Sequence, residues 1–99
     1  MADETFPYVE SSAAVSHPGS LLDEELEVRG MSQRELARRI GRPFQVVNEI
    51  VRGRKAITAE TALQLEGEFG TRAYIWLGLQ AKYDLAVARR KLEASTRAS

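Results

Sequence analysis

From residue 17 onward the apolar side chains return every three or four positions, and glycines at 30, 41, 53 and 70 interrupt the rhythm. That period marks amphipathic helices, and no stretch alternates with the period of two that a strand requires. Leu22 and Leu26, four apart, set the inner face of a first helix over 18–28. Pro18 suits its first turn, where a missing N–H costs nothing, and Gly30 ends it. Asp23, Glu24 and Glu25 are expected near the positive end of its dipole. Ser32-Gln33-Arg34-Glu35 reads as a capping box, in which hydroxyl and carboxylate each satisfy an open backbone N–H. Leu36, Ala37 and Ile40 follow as an inner stripe, and Gly41 stops this second helix. Pro43 opens a third, in which Val46, Val47 and Ile50 fall on a buried face, and Gly53 closes it. Thr58 caps a fourth, with Ala62, Leu65 and Phe69 inward, Gly67 lowering its propensity and Gly70 at its end. Thr71 is placed to cap a fifth and longest helix over 72–91. The expected fold class is all-α, with five helices.

The fifth helix carries two apolar stripes. One is Trp76, Leu79, Tyr83 and Val87; the other is Leu77, Ala81, Leu85 and Ala88. One stripe docks a helix on a small core, so a second predicts a symmetry mate or another protein. The partner-facing set is read as Trp76, Leu77, Ala81, Leu85 and Ala88. A terminal helix wrapped deeply by its own domain would also use both stripes. The chain thus divides into a small, polar arm over 1–16 expected to be flexible, a folded domain over 17–91, and a fraying tail over 92–99.

Composition narrows the choices. A chain of 99 residues is one domain with one core. The absence of cysteine excludes a disulfide framework, a cysteine zinc site and a thiol nucleophile, and fits a reducing cytoplasm. His17, the single histidine, cannot supply a multi-histidine metal site, so no metal or cofactor is expected. No run approaches the roughly 20 apolar residues of a membrane span, and the acidic N-terminus is not a secretory signal. The formal net charge of zero hides a strong segregation. Residues 1–28 hold seven acids and no Lys or Arg, for −7; residues 29–55 hold eight bases against two acids, for +6; the remainder, with six bases and five acids, carries +1. Phosphates respond to local potential, so the basic middle segment suits a polyanion within a neutral protein.

That basic segment coincides with the most informative geometry. A capped helix of about eight residues, a short turn containing Gly41, and a second helix of similar length have helix-turn-helix spacing. The second helix of such a pair presents its outer face to the major groove, where base edges carry an unambiguous code. With Val47 and Ile50 inward, that face holds Phe44, Gln45, Asn48 and Glu49, with Arg52 further along. Gln and Asn pair with adenine N6 and N7, and an aromatic ring packs on a thymine methyl. Arg42, Arg52, Arg54 and Lys55 flank the face as phosphate clamps, and Gln33 opens the preceding helix, where amide and helix N–H groups meet a phosphate. Each residue alone has a plainer reading: solvated amides, a Phe44 folded back on the core, a Glu49 holding a neighbouring arginine.

The segments His17-Pro18-Gly19, Met31-Ser32-Gln33-x-Glu35-Leu36-Ala37, Val47-Asn48-Glu49-Ile50-Val51-x-Gly53-x-Lys55-x-Ile57-Thr58 and Trp76-Leu77-x-Leu79-Gln80-x-x-Tyr83-Asp84-Leu85 resemble those of HigA-type antitoxins, within the wider Xre/Cro-repressor-like helix-turn-helix group. The likeness covers 17 to about 88. It implies a five-helix, lambda-repressor-like domain with a long C-terminal helix, and a homodimer held by the C-terminal region. It further implies neutralisation of a HigB-type, mRNA-cleaving toxin and repression of the shared operon at a palindromic double-stranded operator. The family's DNA-reading positions fall on Phe44, Gln45 and Asn48, with Gln33, Arg34 and Arg54 near the backbone. Glu66-Gly67-Glu68 and Arg72-Ala73-Tyr74-Ile75 depart from its usual pattern. An orphan regulator without a toxin and an interaction module that has lost DNA binding are the alternatives. Catalysis is not expected, because Ser20 and Ser32 have no base partner other than His17 and no phosphate-cradling glycine loop is present.

Overall fold

A computed structural model describes residues 15–98; most of the arm expected over 1–16, and the final residue of the tail, lie outside the described residues. Five helices follow one another: α1 (Pro18–Arg29), α2 (Gln33–Ile40), α3 (Phe44–Val51), α4 (Ala59–Phe69) and α5 (Ala73–Ala98). Their ends follow local chemistry. Gly30, Gly41 and Gly70 terminate α1, α2 and α4 with φ of 64°, 71° and 85°, a left-handed turn that glycine adopts without steric cost. Ser32 Oγ accepts the Glu35 N–H at 3.0 Å, and Thr58 Oγ1 accepts the Thr61 N–H at 3.3 Å. The capping box is half formed, because the Glu35 carboxylate accepts instead from Arg39 Nε at 3.3 Å. The first turn of α1 contains no acid, so the expected dipole contact is not made there. Its cap is His17, whose Nδ1 accepts the Gly19 N–H at 2.8 Å. Pro43 is the residue before α3 rather than its first helical residue.

One core joins all five helices. Leu22 and Leu26 from α1, Leu36 and Ala37 from α2, Val47 and Ile50 from α3, Ala62 and Leu65 from α4 and Trp76 from α5 are buried together with Ile57. Helix α3 packs on α2 and α1, α2 packs on α4, and α5 packs on α4 and α1. The start of α1 and the end of α3 approach closely, since a Cβ added to Gly19 would lie 1.8 Å from the Ile50 carbonyl oxygen. That glycine lets the two backbones meet.

Helix α5 has 26 residues and continues through 92–98, beyond the end expected at 91. No proline or glycine follows Gly78 to stop it, and Lys91, Leu92, Glu93 and Ala94 are good helix formers. Its docked side includes buried Trp76, Gln80 and Ala86, with Ala73, Leu77, Leu79, Tyr83 and Val87 half-buried. Residues 88–97 are all exposed.

Candidate nucleic-acid interface

Helix α3 divides cleanly. Val47 and Ile50 are each 1% exposed, whereas Phe44 and Gln45 in its first turn are exposed. The aliphatic pair faces α1 and α2, and that burial fixes the rotation of the helix about its axis. Gln45 has no partner among the described residues and stands free in solvent.

The first turn of α2 braces the first two turns of α3. Asn48 Nδ2 donates to Gln33 Oε1 at 3.0 Å, which leaves Asn48 half-buried rather than fully outward. The bond spends one of its N–H donors and leaves Oδ1 and the second N–H available, the pair that matches adenine N7 and N6. The Arg34 guanidinium carbon lies 4.3 Å from the centre of the Phe44 ring, a cation–π stack that keeps the ring beside α2. Phe44 is therefore neither folded into the core nor free.

Arg52, Arg54 and Lys55 are exposed in the segment that follows α3. Gly53, at φ 75°, turns that segment, and the Arg54 N–H donates to the Glu49 carbonyl at 2.8 Å to hold it. Arg42, expected as a clamp, is half-buried and is bonded within the chain through one of its terminal nitrogens. Its Nη1 donates to Thr61 Oγ1 at 3.0 Å and to Gln64 Oε1 at 3.1 Å, which ties the α2–α3 turn to α4. The reason is proximity: Thr61 is buried, and its hydroxyl and the Gln64 amide are the acceptors within reach of the guanidinium. Glu49 holds no arginine, making no ion pair with a described residue.

The partner-facing set needs a correction. Trp76 is 0% exposed and lies in the core of its own chain, so it offers nothing to a partner. Leu77 is half-buried and packs against the same core. Ala81, Leu85 and Ala88 are exposed, Leu85 by 55%.

Gln80 and His17, neither of them expected at the site, hold its frame. Gln80 is 6% exposed; its Oε1 accepts the Ile57 N–H at 2.8 Å and its Nε2 donates to Asp84 Oδ1 at 3.0 Å. The segment between α3 and α4 is thereby pinned to α5. A glutamine in an otherwise apolar helical stripe was the available signal. His17 sits where α1, the 53–55 segment and α5 meet, its ring edge-on to Tyr83 at 4.9 Å. Burial lowers its pKa from the usual 6.5, against the opposing effects of Asp84 and the Lys55 backbone. The capping Nδ1 must be unprotonated to accept from Gly19. The unfolded chain thus takes up the proton first as pH falls. The stability that depends on neutral His17 is present above the unfolded value of 6.5 and is lost as pH falls from there through the lower value of the folded chain. Urea midpoints measured from about pH 7.5 to about pH 5.5 should fall for the native chain. His17→Asn, which caps without titrating, should remove that part of the slope.

Five helices, with a glycine-turned pair whose second member hides its aliphatics and turns an amide, an aromatic ring and nearby cations outward, define a helix-turn-helix DNA-binding fold. The chain belongs to the helix-turn-helix family, whose pattern is matched by residues 23–76. It is 44% identical over 75 residues to virulence-associated protein I of Dichelobacter nodosus, covering 75% of this chain and 69% of that one. Its structure is similar to an addiction module antidote protein of the HigA family from Coxiella burnetii, with a TM-score of 0.77 and 38% identity over 86% of this chain and 94% of the other. It is likewise similar to the Pseudomonas aeruginosa antitoxin HigA solved with the higBA promoter, with a TM-score of 0.78 and 35% identity over 83% and 90% of the two chains. The fold is thus that of HigA-type antitoxins, and no helix among the described residues is long and apolar enough to cross a membrane.

Proposed function

We propose that the protein is a cytoplasmic antitoxin that represses its own operon. A dimer binds a palindromic operator through α3, and the same molecule neutralises a HigB-type, mRNA-cleaving toxin. The observation that carries this reading is the outer face of α3, where Gln45 stands free and Asn48 is braced by Gln33. Gln45 and Asn48 read adenines, and Phe44 packs against a thymine methyl. Arg52, Arg54 and Lys55 hold the phosphates on one side, and Gln33 keeps its Nε2 donors for a phosphate at the start of α2. Arg42, held to α4 through Nη1, keeps its Nε and Nη2 donors for a phosphate.

Dimerisation is assigned to α5. Ala81, Leu85, Ala88 and Leu92 are exposed and spaced four, three and four apart, the seam of a two-helix contact. A symmetric dimer would set its two α3 helices on half-sites about one duplex turn apart, roughly 34 Å. Likeness to HigA-type antitoxins supports the toxin as second partner.

The test is binding to the duplex upstream of the gene. Gln45→Ala is expected to cost about 1–3 kcal/mol on the operator and little on random DNA. Equal loss on both would remove the base-reading role. Co-purification with the product of an adjacent small, basic reading frame tests the toxin; operator binding with no such partner would make the protein an orphan regulator.

A further inference from the structure

We infer that Arg34 reads a base: stacked on Phe44, its guanidinium is presented to a guanine in the major groove, beside the thymine whose methyl meets the ring. The inference rests on the proposed reading of DNA by α3 and names one base of the half-site. Family likeness alone would leave Arg34 on the phosphate backbone.

Three features of the structure point the other way. Arg34 is the second residue of α2, is exposed, and makes no ion pair with a described residue, so its charge is not committed within the chain. Its guanidinium lies 4.3 Å from the ring centre of Phe44, the first residue of α3, and the N-terminal residues of a recognition helix enter the groove most deeply. With the guanidinium carbon over the ring, the contact is made through the π face of Phe44, and the Arg34 side chain makes no hydrogen bond with a described residue. The ring therefore fixes the side chain without consuming a single donor. What remains is a rigid fork of parallel N–H groups, which fits the adjacent O6 and N7 acceptors of guanine. A phosphate accepts the same fork, so a preference for one base, and not affinity alone, distinguishes the two contacts.

The arrangement parallels that of its neighbour, since Gln33 holds Asn48 through a 3.0 Å hydrogen bond. Two consecutive residues of α2 thus brace two reading side chains of α3, one by an amide bond and one by a stack. Restraining a rotamer-rich arginine before binding lowers the entropic cost of the contact.

The test is selection from randomised duplexes, followed by affinities on the selected operator and on the same operator with the guanine replaced. The native chain should prefer guanine at one position of each half-site by roughly 5- to 150-fold. Arg34→Lys keeps the charge and loses the fork, so that preference should collapse while the salt dependence stays the same. Phe44→Leu removes the stack and should weaken the guanine preference together with the thymine preference beside it. Retention of the guanine preference by Arg34→Lys would overturn the inference, as would a uniform loss on all sequences with a shallower salt slope. If the native chain selects no sequence at all, the reading of α3 falls first and this inference with it.

Discussion

Gly19→Ala is expected to destabilise the chain severely and to disturb the end of α3 at the same time. The added Cβ would lie 1.8 Å from the Ile50 carbonyl oxygen and 2.8 Å from its carbon. Both atoms are backbone, so no side-chain rotation relieves the clash. The Ile50 carbonyl also accepts the Gly53 N–H at 2.9 Å, in the turn that carries Arg52 and Arg54. Any shift that accommodates the methyl group breaks that turn or pushes α1 away from α3. Overpacking a dense site costs about 1–3 kcal/mol and sometimes more; a backbone-on-backbone clash belongs at or above the upper end of that range. The urea midpoint should fall with an unchanged m value, and operator affinity should drop even where the protein is still folded. Gly67→Ala is the control. It lies within α4 with nothing inside 4 Å of the added Cβ, and should stabilise by about 0.5–1 kcal/mol.

Trp76→Ala should be comparably damaging, for the opposite reason. Trp76 is the largest fully buried side chain and joins α5 to the cluster built by the other four helices. Emptying it is expected to cost about 3–5 kcal/mol, against a total of about 5–15 kcal/mol for an ordinary domain. Trp76→Phe should cost much less, because it keeps most of the ring and removes an indole N–H that is buried without a partner among the described residues. The dependence on protein concentration separates core from interface. Loss at Trp76 should appear at every concentration, whereas Leu85→Ala, on the exposed side of α5, should matter only where dimers form. A Trp76→Ala variant that unfolds normally but no longer dimerises would return that residue to the partner surface.

The helices were legible because their punctuation is local. Ser32, Thr58 and the glycines at 30, 41 and 70 act on backbone groups within four residues, so their spacing in the sequence is their spacing in space. The rotation of α3 was legible for the same reason, since Val47 and Ile50 define a face without reference to a neighbour. What depended on where helices cross was not legible. Periodicity gives α5 two stripes and does not say which one meets the core, so Trp76, expected on the partner side, is found in the core. The Gln33–Asn48 bond spans fifteen positions and the Arg42–Gln64 bond twenty-two, and only the packing of α2 against α3 and α4 brings those groups together. Gln80 looked like an ordinary motif position because nothing in α5 announces that the Ile57 N–H requires an acceptor. The cap by His17 was hidden by habit of chemistry, histidine being less usual there than Ser or Asp.

DNA reading by α3 is tested by mapping backbone and side-chain amide shifts in the isotope-labelled full chain as its promoter duplex is added. The changes are expected to concentrate at Gln33, Arg34, Phe44, Gln45 and Asn48, and across Arg52, Arg54 and Lys55, with the side-chain amides of Gln45 and Asn48 moving furthest. Shifts confined to α1 or to the exposed side of α5, with Gln45 and Asn48 unmoved at saturation, would contradict that role of α3.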